Sequence, residues 1–218
     1  MSSLQTISTE NIRFYEMMAP RKFLELAQLT GFDTNPDLKL ILPQLRGCRS
    51  IAELGVGYGR CVFGLRELGF NGKIYAVDRV QMLLDRIQDT FDEDVIPLLQ
   101  DIRELNLPEP ADAIIWLWSG ILEQKPENQL LSLKQIRHNL APDGKLFVDS
   151  PEDKIKYVGK KLNQKHVRVE MEWGGLDGYI PYREDMEYMA EEAGYSNIEV
   201  IPYKSETDLD RLMYVLSR

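Results

Sequence analysis

Glu53-Leu54-Gly55-Val56-Gly57-Tyr58-Gly59-Arg60 is the stretch on which the reading of this chain turns. It follows a short apolar run at residues 50–54 and precedes a helical pattern at residues 61–68. Glycines between a strand and a helix let backbone approach a ligand closely, and allow positive φ where a side chain would clash. They also leave N–H groups at a helix start for a carboxylate or phosphate. The dinucleotide fingerprint wants glycine at the first, third and sixth positions. Counted from Gly55 the sixth position is Arg60, and counted from Gly57 it is Val62, so NAD and FAD are demoted. An arginine at residue 60 would also obstruct close helix–strand packing.

Outward from this turn the rhythm is strand, helix, strand, helix. Strands are predicted at residues 73–78, 95–99, 113–118 and 145–149, with helices at 80–90 and from Pro126 onward. Residues 113–118 are apolar on both faces, as a central parallel strand should be. Alternation of this kind predicts an α/β fold with a parallel sheet covered on both sides. Before it, residues 10–31 read as helix broken by Pro20 and stopped by Gly31, and Asn35-Pro36 as an N-cap with proline in the first turn. After it, residues 163–173 alternate strictly, with Val167, Val169, Met171 and Trp173 on one face and His166, Arg168, Glu170 and Glu172 on the other. Gly174-Gly175 and Asp177-Gly178 are expected as turns beside this inserted strand. A helix at 182–193 and two strands at 197–203 and 211–216 complete the chain, and the short final connection requires antiparallel pairing.

Acid, any, Gly, any, Gly, any, Gly resembles the first motif of class I S-adenosylmethionine-dependent methyltransferases. The resemblance continues in order along residues 40–218: an acid at the end of the second strand, Asp78; an acid after the third, Asp101-Ile102; and the helix-to-strand turn Ala141-Pro142-Asp143-Gly144. It implies a Rossmann-like three-layer fold, a mostly parallel seven-stranded sheet with an antiparallel last strand, N-terminal helices and a β insertion near the active site. It further implies S-adenosylmethionine as cofactor, with Glu53 at the methionine end, Gly55, Gly57 and Gly59 in the cradle, and Asp78 on the ribose hydroxyls. Asp101 and Ile102 would meet the adenine, Arg79 lies over its edge or points to solvent, and Trp118 sits at the pocket. Asp78 and Asp101 have a purely structural alternative as strand-end acids capping the next turn.

Trp116-Leu117-Trp118-Ser119-Gly120 stands where nucleic-acid amino-methylating members carry Asn/Asp-Pro-Pro-Tyr/Phe, so base methylation is disfavoured. The expectation is therefore a methyltransferase for a small-molecule acceptor, with Tyr15, Ser119 and His166 as pocket candidates. Alternatives are a regulatory module of the same fold without turnover, and an enzyme for protein or nucleic acid. No catalytic residue is assigned, because a sulfonium leaves unaided and alignment with desolvation supplies much of the rate. No His, Cys or acid spacing suggests a metal.

Composition narrows the partners. A formal charge of -9 argues against a dedicated nucleic-acid binder. Yet residues 152–168 hold six basic side chains, Lys154 and Lys156 among them, against two acids, which opens the possibility of an anionic acceptor. Two cysteines, Cys48 and Cys61, make no disulfide framework, and no leader or apolar span is visible, so a cytoplasmic protein without membrane contact is expected. The chain divides into a helical cap (1–47), a cofactor half (48–150), an inserted lid (151–181) and a C-terminal half (182–218).

Overall fold

The structure is a computed structural model that describes residues 3–152 and 160–218. In chain order the elements are α1 (Ser3–Met17), α2 (Pro20–Thr30), α3 (Pro36–Ile41), β1 (Ser50–Leu54), α4 (Arg60–Glu67), β2 (Lys73–Asp78), α5 (Gln81–Thr90) and β3 (Val95–Leu99). There follow β4 (Ala111–Trp116), α6 (Pro126–His138), β5 (Leu140–Pro151), β6 (Lys160–Lys161), β7 (His166–Met171) and β8 (Gly174–Tyr179). Last come α7 (Arg183–Glu192), β9 (Asn197–Lys204) and β10 (Asp210–Ser217). A short 3-10 turn over Gly120–Glu123 links β4 to α6.

Seven strands form one sheet in the order β3-β2-β1-β4-β5-β10-β9. All neighbours pair in parallel except β10, which runs antiparallel to both β5 and β9. From β1 the chain winds outward through β2 and β3, then returns to β4 on the other side of β1. This reversal opens a crevice at the carboxyl ends of β1 and β4, where open α/β sheets receive ligands. Side chains alternate along each central strand, so both faces need apolar cover. Ala52, Leu54, Ile114 and Trp116 join a core with Leu133 and Ile136 of α6 and Met186 and Met189 of α7. Ile51, Ala113 and Ile115 face the other core, with Leu38 and Ile41 of α3, Leu65 of α4 and Ile87 of α5. The result is a three-layer sandwich.

Several boundaries differ from the sequence reading, each for a tertiary reason. β4 ends at Trp116, not at residue 118, because Trp118 and Ser119 adopt left-handed φ of 53° and 65°. Asn35 is itself left-handed and caps nothing with its side chain; its amide oxygen instead accepts from Arg60 at 2.9 Å. Residues 141–144 are not a free turn. They run within β5, where the register against β4 shifts between Ala111 and Ala113. Gly174, Gly175, Asp177 and Gly178 lie in β8, and Glu172 and Trp173 make the turn.

β6, β7 and β8 form a separate antiparallel sheet, joined to α1. Asn11, fully buried, pairs with the Asp177 backbone: its Nδ2 donates to the Asp177 carbonyl and its Oδ1 accepts from the Asp177 amide, both at 3.2 Å. Phe14 packs on Trp173 with ring centroids 5.7 Å apart. Lys154 and Lys156, two of the six basic side chains expected there, lie outside the described residues. Among the described residues no helix is long and apolar enough to cross a membrane.

Candidate active site

A cavity of about 300 Å³ occupies the crevice at the strand ends, the lower end of the range that takes small ligands. α1, α2, the 3-10 turn, β7 and β8 all contribute to its lining. Of the residues singled out from the sequence, Glu53, Gly55, Gly57, Asp78, Arg79, Asp101, Ile102, Trp118, Tyr15 and Ser119 line it. Gly59 and His166 do not.

The glycine turn acts through shape more than through free donors. Gly55 and Val56 amides both donate to the Val77 carbonyl at 2.9 and 3.0 Å, and the Gly59 amide donates to Val56 at 2.9 Å. Gly55 has φ 71°, and a Cβ there would meet nothing within 4 Å, so this backbone fronts open space. Gly59 has φ 81°, and a Cβ there would fall 2.8 Å from Ile87, so this glycine lets the turn pack on α5. The Gly57 amide donates to Asp78 Oδ2 at 2.9 Å, while Asp78 Oδ1 accepts from the amides of Arg79 (2.7 Å) and Val80 (3.0 Å). One carboxylate therefore both ties the turn down and caps the entry to α5. Burial pushes its pKa up, and the three amides oppose that shift.

Glu53 lies beneath the turn at 4% exposure, and its Oε2 has no hydrogen-bond partner among the described residues. Burial is the main cause that raises its pKa to about 8, offset in part by Arg60 and Cys61. Arg60 does not obstruct packing. It folds back in a two-pronged pair with Asp37 of α3, at 2.9 and 2.7 Å, and its guanidinium lies 5.6 Å from the Phe32 ring and 5.5 Å from Trp118. Asp37 is fully buried, so this pair fastens the N-terminal helices to the start of α4.

The other wall is built from groups that the sequence reading passed over. Asp149 at the end of β5 accepts from Arg211 Nε at 3.1 Å, from Tyr203 Oη at 2.7 Å and from the Ser119 amide at 2.8 Å. Arg211 Nη2 also pairs with Asp149 and donates to Ser119 Oγ at 2.6 Å. This network holds the left-handed Trp118-Ser119 step, and Trp118 Nε1 donates to Thr30 Oγ1 at 3.3 Å. Trp116 is in the core at 1% exposure. Tyr15 donates its hydroxyl to Glu123, whose other oxygen lies 3.6 Å from Arg79. Burial, then the Glu123 carboxylate, pushes the Tyr15 phenol up, and burial raises Glu123 against the pull of Arg79. Asp101 is engaged by the Arg103 fork at 2.9 and 2.5 Å. Burial alone would raise its carboxyl, but Arg103 outweighs that and leaves it below its usual range.

The inserted strand presents one of its two faces to the cavity. Its apolar face, Val167 and Val169, reaches the cavity, together with Leu176 and Asp177 of β8. His166 lies on the other face, stacked on Tyr179 at 4.4 Å, with Nε2 2.6 Å from Asp177 Oδ1. Arg168 is on that face too and pairs with Asp177, Glu170 and Glu10. Lys165 pairs with Asp185 of α7 at 2.6 Å.

Sheet order, the single antiparallel strand and the glycine turn beside two strand-end acids define the class I S-adenosylmethionine-dependent methyltransferase fold. No protein-family model matches the chain, and no curated protein matches it. Solved structures do. The chain superposes on 1,6-didemethyltoxoflavin-N1-methyltransferase from Burkholderia thailandensis, determined with 1,6-didemethyltoxoflavin and S-adenosylhomocysteine, at TM-score 0.71 and 14% identity, over 100% of this chain and 91% of the other. A S-adenosylmethionine-dependent methyltransferase from Clostridium acetobutylicum gives TM-score 0.69 at 14% identity, over 90% and 98%. CalS10, an amino pentose methyltransferase from Micromonospora echinaspora with bound S-adenosylmethionine, gives 0.66 at 12% identity, over 91% and 98%.

Proposed function

We propose that this protein is an S-adenosylmethionine-dependent methyltransferase that acts on a small molecule. The observation that carries the reading is Glu53, a buried carboxylate with an unpartnered oxygen on the same cavity as the Asp78-braced glycine turn. Burial disfavours the charged form of Glu53, and a cationic ligand placed beside it would favour that form. S-adenosylmethionine fits these residues: its ammonium suits Glu53, its ribose hydroxyls suit the remaining acceptor capacity of Asp78, and the open face of Gly55 leaves room for it. Asp101 and Ile102 stand beyond Asp78 for the adenine, with Arg79 beside them. That the solved relatives in fold carry S-adenosylmethionine or S-adenosylhomocysteine supports the same reading.

When bound, the cofactor supplies an electrophilic methyl group on a sulfonium that departs without protonation. The chain's own residues then have three tasks. Glu53, Asp78 and the glycine turn fix one reactant. The wall of Trp118, Leu176 and Val169 orients the other. The cap of α1 with β7 and β8, latched through Asn11–Asp177 and Tyr15–Glu123, excludes water. Orientation and desolvation of this kind are worth up to ~7–11 kcal/mol of barrier. An enclosed cavity under such a cap favours a small acceptor over a polymer.

Thermal-shift titration with S-adenosylmethionine, S-adenosylhomocysteine, NAD and NADP tests the cofactor. A ligand present at about 100 times its Kd stabilises by ~2.7 kcal/mol. Shifts with both adenosyl compounds and none with NAD or NADP are expected; the reverse result sinks the reading.

A further inference from the structure

We infer that the methyl acceptor is an uncharged, planar ring compound stacked on the Trp118 indole, an inference that rests on the methyltransferase reading above. The first observation is a charge account of the cavity. Arg60 is paired with Asp37, Arg211 with Asp149, Arg79 with Glu123 and Asp101 with Arg103. Asp177, 4% exposed, is held by Arg168 and His166. Among the described lining residues, only Glu53 and Asp78 lack an opposite charge at ion-pair distance, and both belong to the cofactor's side on β1 and β2. A charged acceptor entering this cavity would be desolvated without a counter-charge.

Neutral acceptor atoms are similarly engaged. Ser119 Oγ accepts from Arg211, Thr30 Oγ1 donates to Leu26 and accepts from Trp118, and Gln124 Oε1 accepts from Ser132. The several hydroxyl donors of a polyol acceptor would compete with these bonds.

The second observation is conformational. Trp118 and Ser119 are consecutive non-glycine residues at φ 53° and 65°, a conformation that bulky side chains disfavour. The Asp149–Arg211 network imposes that step, and its consequence is to turn an indole into the cavity rather than into the sheet. Phe23 meets that indole edge-to-face at 5.0 Å and Phe32 lies tilted at 6.0 Å, so the ring is held in one orientation. The remaining acceptor-side lining is branched aliphatic: Val167, Val169, Leu176 and Leu209. A rigid indole among aliphatic walls, with each nearby charge neutralised, selects flat neutral rings.

The test is isothermal titration of the protein, first with S-adenosylhomocysteine alone and then, loaded with it, with three probes of one size. These are 2-naphthol, 2-naphthoate and the saturated decahydro-2-naphthol. We expect 2-naphthol to bind at least about tenfold more tightly than 2-naphthoate and about fivefold more tightly than its saturated analogue. Trp118→Ala should abolish the second preference, and Trp118→Phe should keep it. Val169→Lys, at a half-buried position on the cavity wall, should reverse the first. Equal or tighter binding of 2-naphthoate or decahydro-2-naphthol to the native protein, or no binding of 2-naphthol, overturns the inference. Failure of S-adenosylhomocysteine to bind would instead strike the cofactor reading, and the same probes titrated into ligand-free protein separate the two failures.

Discussion

On the proposed reading, Glu53 makes cofactor binding pH-dependent. Its carboxyl is pushed up to about 8, chiefly because burial disfavours the charged form. At pH 6, two units lower, only about 1% is ionised. A ligand whose ammonium must meet the carboxylate therefore displaces a proton, and affinity rises with pH. The ligand's own α-amino group is that of a free amino acid and keeps its charge over this range. The charged fraction of Glu53 grows about 50-fold from pH 6 to pH 8, or ~2.3 kcal/mol. Titration calorimetry of S-adenosylhomocysteine at pH 6, 7, 8 and 9 should give this rise, levelling off above pH 8. Buffers of differing ionisation heat should report about one proton released per ligand on the acid limb. Methylthioadenosine, which lacks the ammonium, should show no acid limb, and Glu53→Gln should flatten it for S-adenosylhomocysteine. An acid limb that persists in Glu53→Gln, or is absent from the native protein, refutes the assignment. The same shift bears on folding. A carboxyl whose folded pKa lies above its unfolded value of 4.5 favours folding at acid pH, and that contribution is lost as pH rises towards 8. Glu53→Gln should then stabilise the ligand-free protein at pH 8, by no more than about 5 kcal/mol.

Other consequences are simpler. Asp78→Ala removes the acceptor for three amides and, on our reading, for the ribose; S-adenosylhomocysteine should bind at least about tenfold more weakly, and an unchanged Kd would refute the ribose role. Asp37→Asn leaves Arg60 buried without its carboxylate and should cost about 3–5 kcal/mol in chemical denaturation; a loss below ~1 kcal/mol would mean the pair is not a fastening of the N-terminal helices. Tyr15→Phe removes only the hydroxyl that Glu123 accepts, and should speed release of S-adenosylhomocysteine in stopped-flow displacement, where an unaltered rate would argue against a latch. Trp116→Ala should cost about 3–5 kcal/mol of stability through the cavity it leaves in the core, while Trp118→Ala should cost clearly less.

The order of elements was legible because each signal is local. Strands β1 to β5 announce themselves as apolar runs, Pro20 and Gly31 bound α2, and the glycine turn falls where strand gives way to helix. Where the reading failed, a distant partner had overruled a local preference. Asn35-Pro36 looks like an N-cap, but Arg60, 25 residues on, takes the side chain. Residues 113–118 look like one strand, but Asp149 and Arg211 hold Ser119, and the chain turns left-handed at Trp118 and Ser119. On β7 the two faces alternate as the sequence reads, and Val167 and Val169 reach the cavity. His166, a pocket candidate that reads equally as a surface strand residue, lies on the other face.

The sequence by itself determined what depends on backbone chemistry and periodicity: an α/β chain, a glycine turn whose spacing departs from the dinucleotide fingerprint, and acids at the ends of β1 and β2. Tertiary structure alone decided which side chains share the cavity. Arg60, Glu123, Asp149 and Arg211 lie up to 151 residues apart, on elements whose adjacency is set by sheet order, and no local pattern encodes it. The orientation of the inserted strand was also a tertiary choice. An alternating strand states that it has two faces, but only the surface it packs against determines which one is buried.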